Sequence, residues 1–174
     1  MKIAGKYWAL LLTLSLIWGS SFILMKKGMY ASSGAIIFNS NQVAALRILL
    51  SSLALLPFGI NALKRIQLKK DLIYFLIVAF CGNMFPAFLF TYAETGISSG
   101  FAGMLNSMTP IFTIFIGFGF FQIKMNWTQI AGSTIGTIGV ILLLYFGKAV
   151  SAQGEWRHII SVVFAALCYA ISLS

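Results

Sequence analysis

The chain has 174 residues, of which 60% are apolar and only 9% charged, with a net charge of +9 and a mean hydropathy of +0.95. A soluble domain carries about 25% charged residues, so there is too little charge here to cover a water-facing surface. Disorder is excluded as well, because it needs few aromatics and 15% of this chain is aromatic.

A helix needs about 20 mostly apolar residues to cross a hydrocarbon layer of roughly 30 Å. In chain order, such stretches are predicted over about 7–25, 39–60, 72–90, 100–121 and 127–146, followed by a loop over 149–157. A sixth stretch, 158–174, is still apolar at its last residue and, at 17 residues, falls short of a full crossing, so the sequence reads as a fragment cut off inside a helix. None of the runs shows the two-residue alternation of a membrane β-strand, which leaves helices as the spanning form. The first run is about 19 residues long and has no A-x-A cleavage site, so it is a retained helix and not a signal peptide.

The twelve Lys and Arg residues lie mostly between apolar runs, without a block of five or six like charges. This pattern fits loops retained on one side of a membrane and gives no nucleic-acid surface. With the N-terminus inside, seven of these charges are cytoplasmic, including Lys64, Arg65, Lys69 and Lys70, and four are outside. The expected protein is therefore a multi-pass protein of the cell membrane with a cytoplasmic N-terminus.

Polar groups at membrane depth are costly and usually face the bundle interior or a hydrated cavity. Arg47 lies about eight residues into the second stretch. It is either a contact for an anionic solute or a structural residue paired with a carboxylate. Glu94, just past the third stretch, is the candidate partner for such an ion pair. Trp18 and Ser21 interrupt the first stretch, Asn83 and Pro86 the third, and Asn106 and Pro110 the fourth. Asn106 and Pro110 are four apart and share a helix face, and a proline there frees a carbonyl that neighbouring groups must satisfy. Trp18, Ser21, Arg47, Asn83, Asn106 and Pro110 form the candidate cavity lining, with packing as the competing role for each. Gly100, Gly103 and Ser107, and again Gly132, Gly136 and Gly139, follow helical spacing and mark expected helix–helix contacts. Asp71 is read as the N-cap of the third stretch.

No GxxxxGK[ST] phosphate cradle and no GxSxG elbow occurs. One histidine, His158, and two separated cysteines, Cys81 and Cys168, give no metal-ligand spacing. No enzyme activity, cofactor or metal is expected. His158 is read as an interfacial residue opening the sixth stretch, and the glycosylation sequon at Asn126 is discounted because the topology puts it inside.

The segments Ile17-Trp18-Gly19-Ser20-Ser21-Phe22, Ala45-Leu46-Arg47-Ile48-Leu49, Ser107-Met108-Thr109-Pro110 and the glycine-rich run Gly132–Leu144 occur in an order that resembles the EamA family of the drug/metabolite transporter superfamily. The resemblance covers residues 7–147. Two departures stand out: Gln122-Ile123-Lys124 replaces an acidic Gly-Glu-Arg step, and Glu94 stands where the family usually has a hydrophobic residue. The resemblance implies an all-α membrane protein, a polytopic helix bundle with one five-helix repeat (1–148) plus a partial sixth helix, half of a ten-helix inverted-repeat carrier. An odd number of spans sends the next copy through the membrane in the opposite sense, which produces such an inversion. The implied function is secondary transport of a small organic metabolite or drug by alternating access. The alternative is a non-transporting membrane subunit that assembles with itself or a partner. Expected partners are the lipid bilayer, a small solute, and either the missing second repeat or a homodimer partner.

Overall fold

The computed structural model describes residues 5–63, 68–121, 126–146 and 156–173, and no strand is present among them. Helix α1 (Gly5–Met29) has 25 residues, about 37 Å at 1.5 Å per residue, enough for a hydrocarbon layer of roughly 30 Å. A tight connection follows, in which Ile37 N–H donates to Met29 O at 2.9 Å and Gly34 N–H to Ala31 O at 2.9 Å. Gly34 sits at a φ of 82°, a left-handed conformation that costs glycine little.

Helix α2 (Ser40–Leu63) starts with a reciprocal cap. Gln42 N–H donates to Asn39 Oδ1 at 2.8 Å and Asn39 N–H to Gln42 Oε1 at 2.9 Å, which satisfies two of the helix's orphan donors. The third span is continuous but not uniform: α3 (Leu68–Ala79), one π-helical turn (Phe80–Met84) and α4 (Phe85–Ala93). Pro86 cannot donate to the carbonyl four residues back. In this turn Phe85 N–H reaches Phe80 O, five residues back, and the wider ladder accommodates the proline ring. Asp71 lies inside the first turn of α3 and not at its N-cap as expected, because the helix begins earlier. Its carboxylate still favours the positive end of the helix dipole there.

The fourth span, expected as one helix over 100–121, is two: α5 (Ser99–Asn106) and α6 (Thr109–Phe121), separated by Ser107 and Met108. Helix α7 (Trp127–Phe146) matches its expected limits. Helix α8 (Trp156–Leu173) has 18 residues and is long and apolar enough to cross a membrane, as are α1, α2, α3–α4 and α5–α6 among the described residues. The protein is thus an all-α polytopic membrane protein. The acidic-step departure at Gln122-Ile123-Lys124 and the loop charges Lys64 and Arg65 lie outside the described residues.

The core forms where α8 packs against α4, the π turn, α5 and α6. Alanines make that close approach possible: Ala93, Ala102, Ala165, Ala166 and Ala170 are fully buried. Small side chains let helix backbones come together where lipid supplies no hydrophobic drive. The glycine stripes do not act as expected. A Cβ at Gly100, Gly132, Gly136 or Gly139 would meet nothing within 4 Å, and Gly103 only just touches Phe22. The close contacts fall elsewhere: a Cβ at Gly82 would collide with the Ser172 hydroxyl, and one at Gly96 with the His158 ring.

His158 fastens α8 to the turn between α4 and α5. Its ring stacks on Tyr92 with centroids 5.0 Å apart, and its Nε2 lies 3.3 Å from Thr95 Oγ1. Replacing Gly96 by alanine should therefore lower thermal stability in detergent by roughly 1–3 kcal/mol, the usual cost of overpacking. Gly100→Ala, in open space, should leave the melting temperature unchanged in the same assay.

Candidate functional site

The polar residues of the bundle gather in two places. The first is the turn joining α4 to α5, together with the ends of α1 and α2. Backbone bonds set this turn: Glu94 N–H donates to Phe90 O and Ile97 N–H to Ala93 O, each at 3.0 Å. Ser98 then caps α5 by accepting from Phe101 N–H at 3.3 Å. Two long-range bonds tie the turn to α1. Lys26 Nζ donates to Ile97 O at 2.9 Å, and Ser99 Oγ to Phe22 O at 3.3 Å. Beside them opens a cleft of about 570 Å³ lined by Ile23, Lys26, Lys27, Tyr30, Ile37 and Ser99, among others. Two ammonium groups with a phenol and a serine hydroxyl can receive a carboxylate or another small anion.

Glu94 lies under this turn, fully buried, and among the described residues neither carboxylate oxygen has a hydrogen-bond partner. It is sealed off from the cleft, so no solute reaches it in this conformation. Burial pushes its carboxyl up to about 7; the nearby Ser99 hydroxyl and the charges of Lys26 and then Arg47 pull the other way without cancelling it. Ser99 commits its hydrogen to the Phe22 carbonyl and so leaves the carboxylate unpaired. Arg47 is half-buried, and its Nη1 contacts the Met25 sulfur. Its charge acts on both Glu94 and Tyr169, but no hydrogen bond closes the candidate Arg47–Glu94 pair.

The second place is the break between α5 and α6. Pro110 removes the donor that Asn106 O would have received in a continuous helix. Thr109 Oγ1 supplies it, donating to Asn106 O at 2.8 Å, and lies 3.1 Å from Asn106 Oδ1. A groove of about 400 Å³ runs alongside, between α6 and α7, lined by Ser107, Pro110, Ile111, Gly132, Ser133 and Gly136. The glycine stripe of α7 opens into this groove and seats no helix among the described residues.

The six sequence candidates divide accordingly. Arg47 belongs to the first region, while Asn106 and Pro110 belong to the second. Ser21 is half-buried on α1, next to the Phe22 carbonyl that anchors Ser99. Trp18 is 67% exposed, and Asn83 is exposed, its amide only 3.5 Å from Val78 O within the π turn; neither lines a cleft. Sequence reading missed Lys26, Tyr30 and Ser99 as a cluster. Lys26 and Lys27 look like an ordinary basic helix end, and Ser99 is brought to them only by folding. Among the described residues no group of three His, Cys, Asp or Glu side chains could hold a metal ion.

A bundle of apolar helices whose spans are interrupted at two prolines, with charged groups held under one turn, belongs to the class of polytopic membrane proteins. Comparison narrows this: the chain matches the EamA-like transporter family over residues 6–145, and it belongs to that family. It is similar to the uncharacterized transporter YdfC of Bacillus subtilis, with 26% identity over 91% of this chain and 48% of the relative. A probable terminal-alkyne amino-acid exporter of Streptantibioticus cattleyicolor is 26% identical over 84% of this chain and 47% of its own length. A probable amino-acid metabolite efflux pump of Salmonella typhimurium is 28% identical over 78% and 42%. The chain spans about half the length of these curated relatives. No solved structure matches it.

The burial of Glu94 sets a pH dependence whose sign follows from linkage. A carboxyl that titrates higher in the folded state binds more protons there, so stability falls as pH rises from the unfolded value of 4.5 to about 7. Wild-type protein should lose several degrees of melting temperature between about pH 5 and pH 8, and Glu94→Gln should remove most of that slope. Identical slopes in the two proteins would show a hydrated or paired carboxylate.

Proposed function

We propose that this chain forms the N-terminal half of a secondary transporter that carries a small organic metabolite across the cell membrane by alternating access. Family membership across most of the chain carries the reading. Its N-terminus lies in the cytoplasm, in keeping with the excess of basic residues assigned to that side. The second half of the carrier, or a second copy of the chain, completes the solute pathway against the side left open by the exposed apolar and glycine-lined faces. Amino acids and their derivatives are the substrate class, in line with the names of two relatives.

The geometry supports this reading in two ways. A span that is broken and locally repaired, as α5 and α6 are at Asn106 and Pro110, places backbone groups where a solute can meet them and supplies a place for the helix to bend. The cationic cleft on α1 offers a receptor for a carboxylate, with Arg47 one helix away. In this reading Trp18 and Asn83, exposed here, line the pathway from the side that the missing half would cover.

The test is equilibrium counterflow of radiolabelled amino acids in proteoliposomes containing the product of the native reading frame. Arg47→Ala should abolish exchange while leaving expression and membrane insertion intact. Loss of the protein from the membrane would instead assign Arg47 to holding α1 and α2 together. A purified wild-type protein that exchanges no amino acid and no related metabolite, yet assembles stably, would favour the non-transporting subunit.

A further inference from the structure

We infer that Glu94 is the proton-carrying group of this transporter: it is protonated while the turn between α4 and α5 is closed, and it releases its proton when that turn opens. The inference rests on the transport reading above and adds to it the coupling ion and the residue that carries it.

Three observations lead there. Glu94 is fully buried, yet both its oxygens lack a hydrogen-bond partner among the described residues. A bare carboxylate in that setting is costly, whereas the neutral acid is tolerated. The groups that could stabilise its charge are close but engaged elsewhere. Lys26 on α1 donates to Ile97 O, Ser99 on α5 to Phe22 O, and Arg47 on α2 contacts the Met25 sulfur. On α8, His158 packs over Gly96 and Tyr92, and the Tyr169 ring lies 5.9 Å from Phe90. Finally, the bonds that hold the turn to α1 are the ones that occupy Lys26 and Ser99. Breaking Lys26–Ile97 and Ser99–Phe22 would admit water and free an ammonium and a hydroxyl for Glu94 in a single movement.

The chemistry balances simply. On opening, the carboxyl O–H bond breaks and the proton passes to water, and the carboxylate left behind gains Lys26 and Arg47 as counter-ions. On closing, those partners return to their backbone and sulfur contacts and Glu94 takes a proton back. Burial holds the acid near neutrality, at about 7, so both forms are accessible at ordinary pH. The solute has no need to touch Glu94, because coupling runs through the turn.

Proteoliposomes containing the product of the native reading frame test this with radiolabelled amino acids and an imposed pH gradient. Wild-type protein should show counterflow without a gradient. With one, it should accumulate solute against the proton flow, up to about tenfold per pH unit for one proton exchanged. Glu94→Gln should keep counterflow and lose the response to the gradient, while Glu94→Asp should retain the response with a displaced pH midpoint. Infrared difference spectra in lipid should show a protonated carboxyl band that fades above neutral pH and is missing from Glu94→Gln; this readout remains available if that variant transports poorly. Gradient-driven accumulation by Glu94→Gln, or wild-type counterflow indifferent to the gradient, would overturn the proton role and leave the transport reading standing. Absence of wild-type counterflow would overturn the transport reading, and the coupling with it.

Discussion

A bilayer supplies no water to its interior, so every backbone N–H and C=O there must find a partner within the protein. That single constraint explains why each described span is helical and why the two interrupted spans are interrupted as they are. Proline removes a donor in both cases, but the remedies differ. At Pro86 the ladder widens by one residue, and the bond from Phe85 to Phe80 replaces the regular one. At Pro110 the ladder breaks, and the Thr109 hydroxyl caps the stranded Asn106 carbonyl. The first repair keeps the rod continuous. The second creates a joint.

The same scarcity of water governs the charged residues. Lys26 spends its charge on a backbone carbonyl, and Arg47 lies against a thioether. These partners are weaker than a carboxylate would be, although Glu94 is close enough to feel both charges. In the proposed cycle the closed turn holds a neutral acid beside cations that are engaged elsewhere. In that cycle, opening ionises Glu94, exchanges the neutral contacts for ion pairs and lets water share the cost of exposing them.

Much of the fold can be read along the chain, because a run of about 20 apolar residues is a one-dimensional signal. Four of the five complete apolar stretches are helices whose limits agree with the sequence to within a few residues, and the local repair at Asn106 follows from the position of Pro110 four residues later. Other features depend on partners distant in sequence and cannot be read that way. Nothing near His158 announces that it packs on Gly96, 62 positions earlier. The glycine stripe of α7 carries the expected contact spacing, yet the tight interface uses the alanines of α4 and α8, since burial depends on which neighbour arrives and not on which face is small. For the site, Arg47 was visible because a charge inside an apolar run is conspicuous. Lys26 was not, because a lysine at a helix end is ordinary until Ile97 is folded onto it.

Helix α8 follows the family-matched segment in the chain but packs at the centre of the bundle, against α4, α5, α6 and the π turn. The alanine-lined groove of the earlier helices is therefore unfilled while they leave the ribosome and enter the lipid. Helices α1, α2, α4 and α5 also pack on one another without α8, but α4, α5 and α6 share that helix as a common partner only once residues 156–173 have been made. The helix made last among the described residues therefore closes a core that the earlier ones only begin.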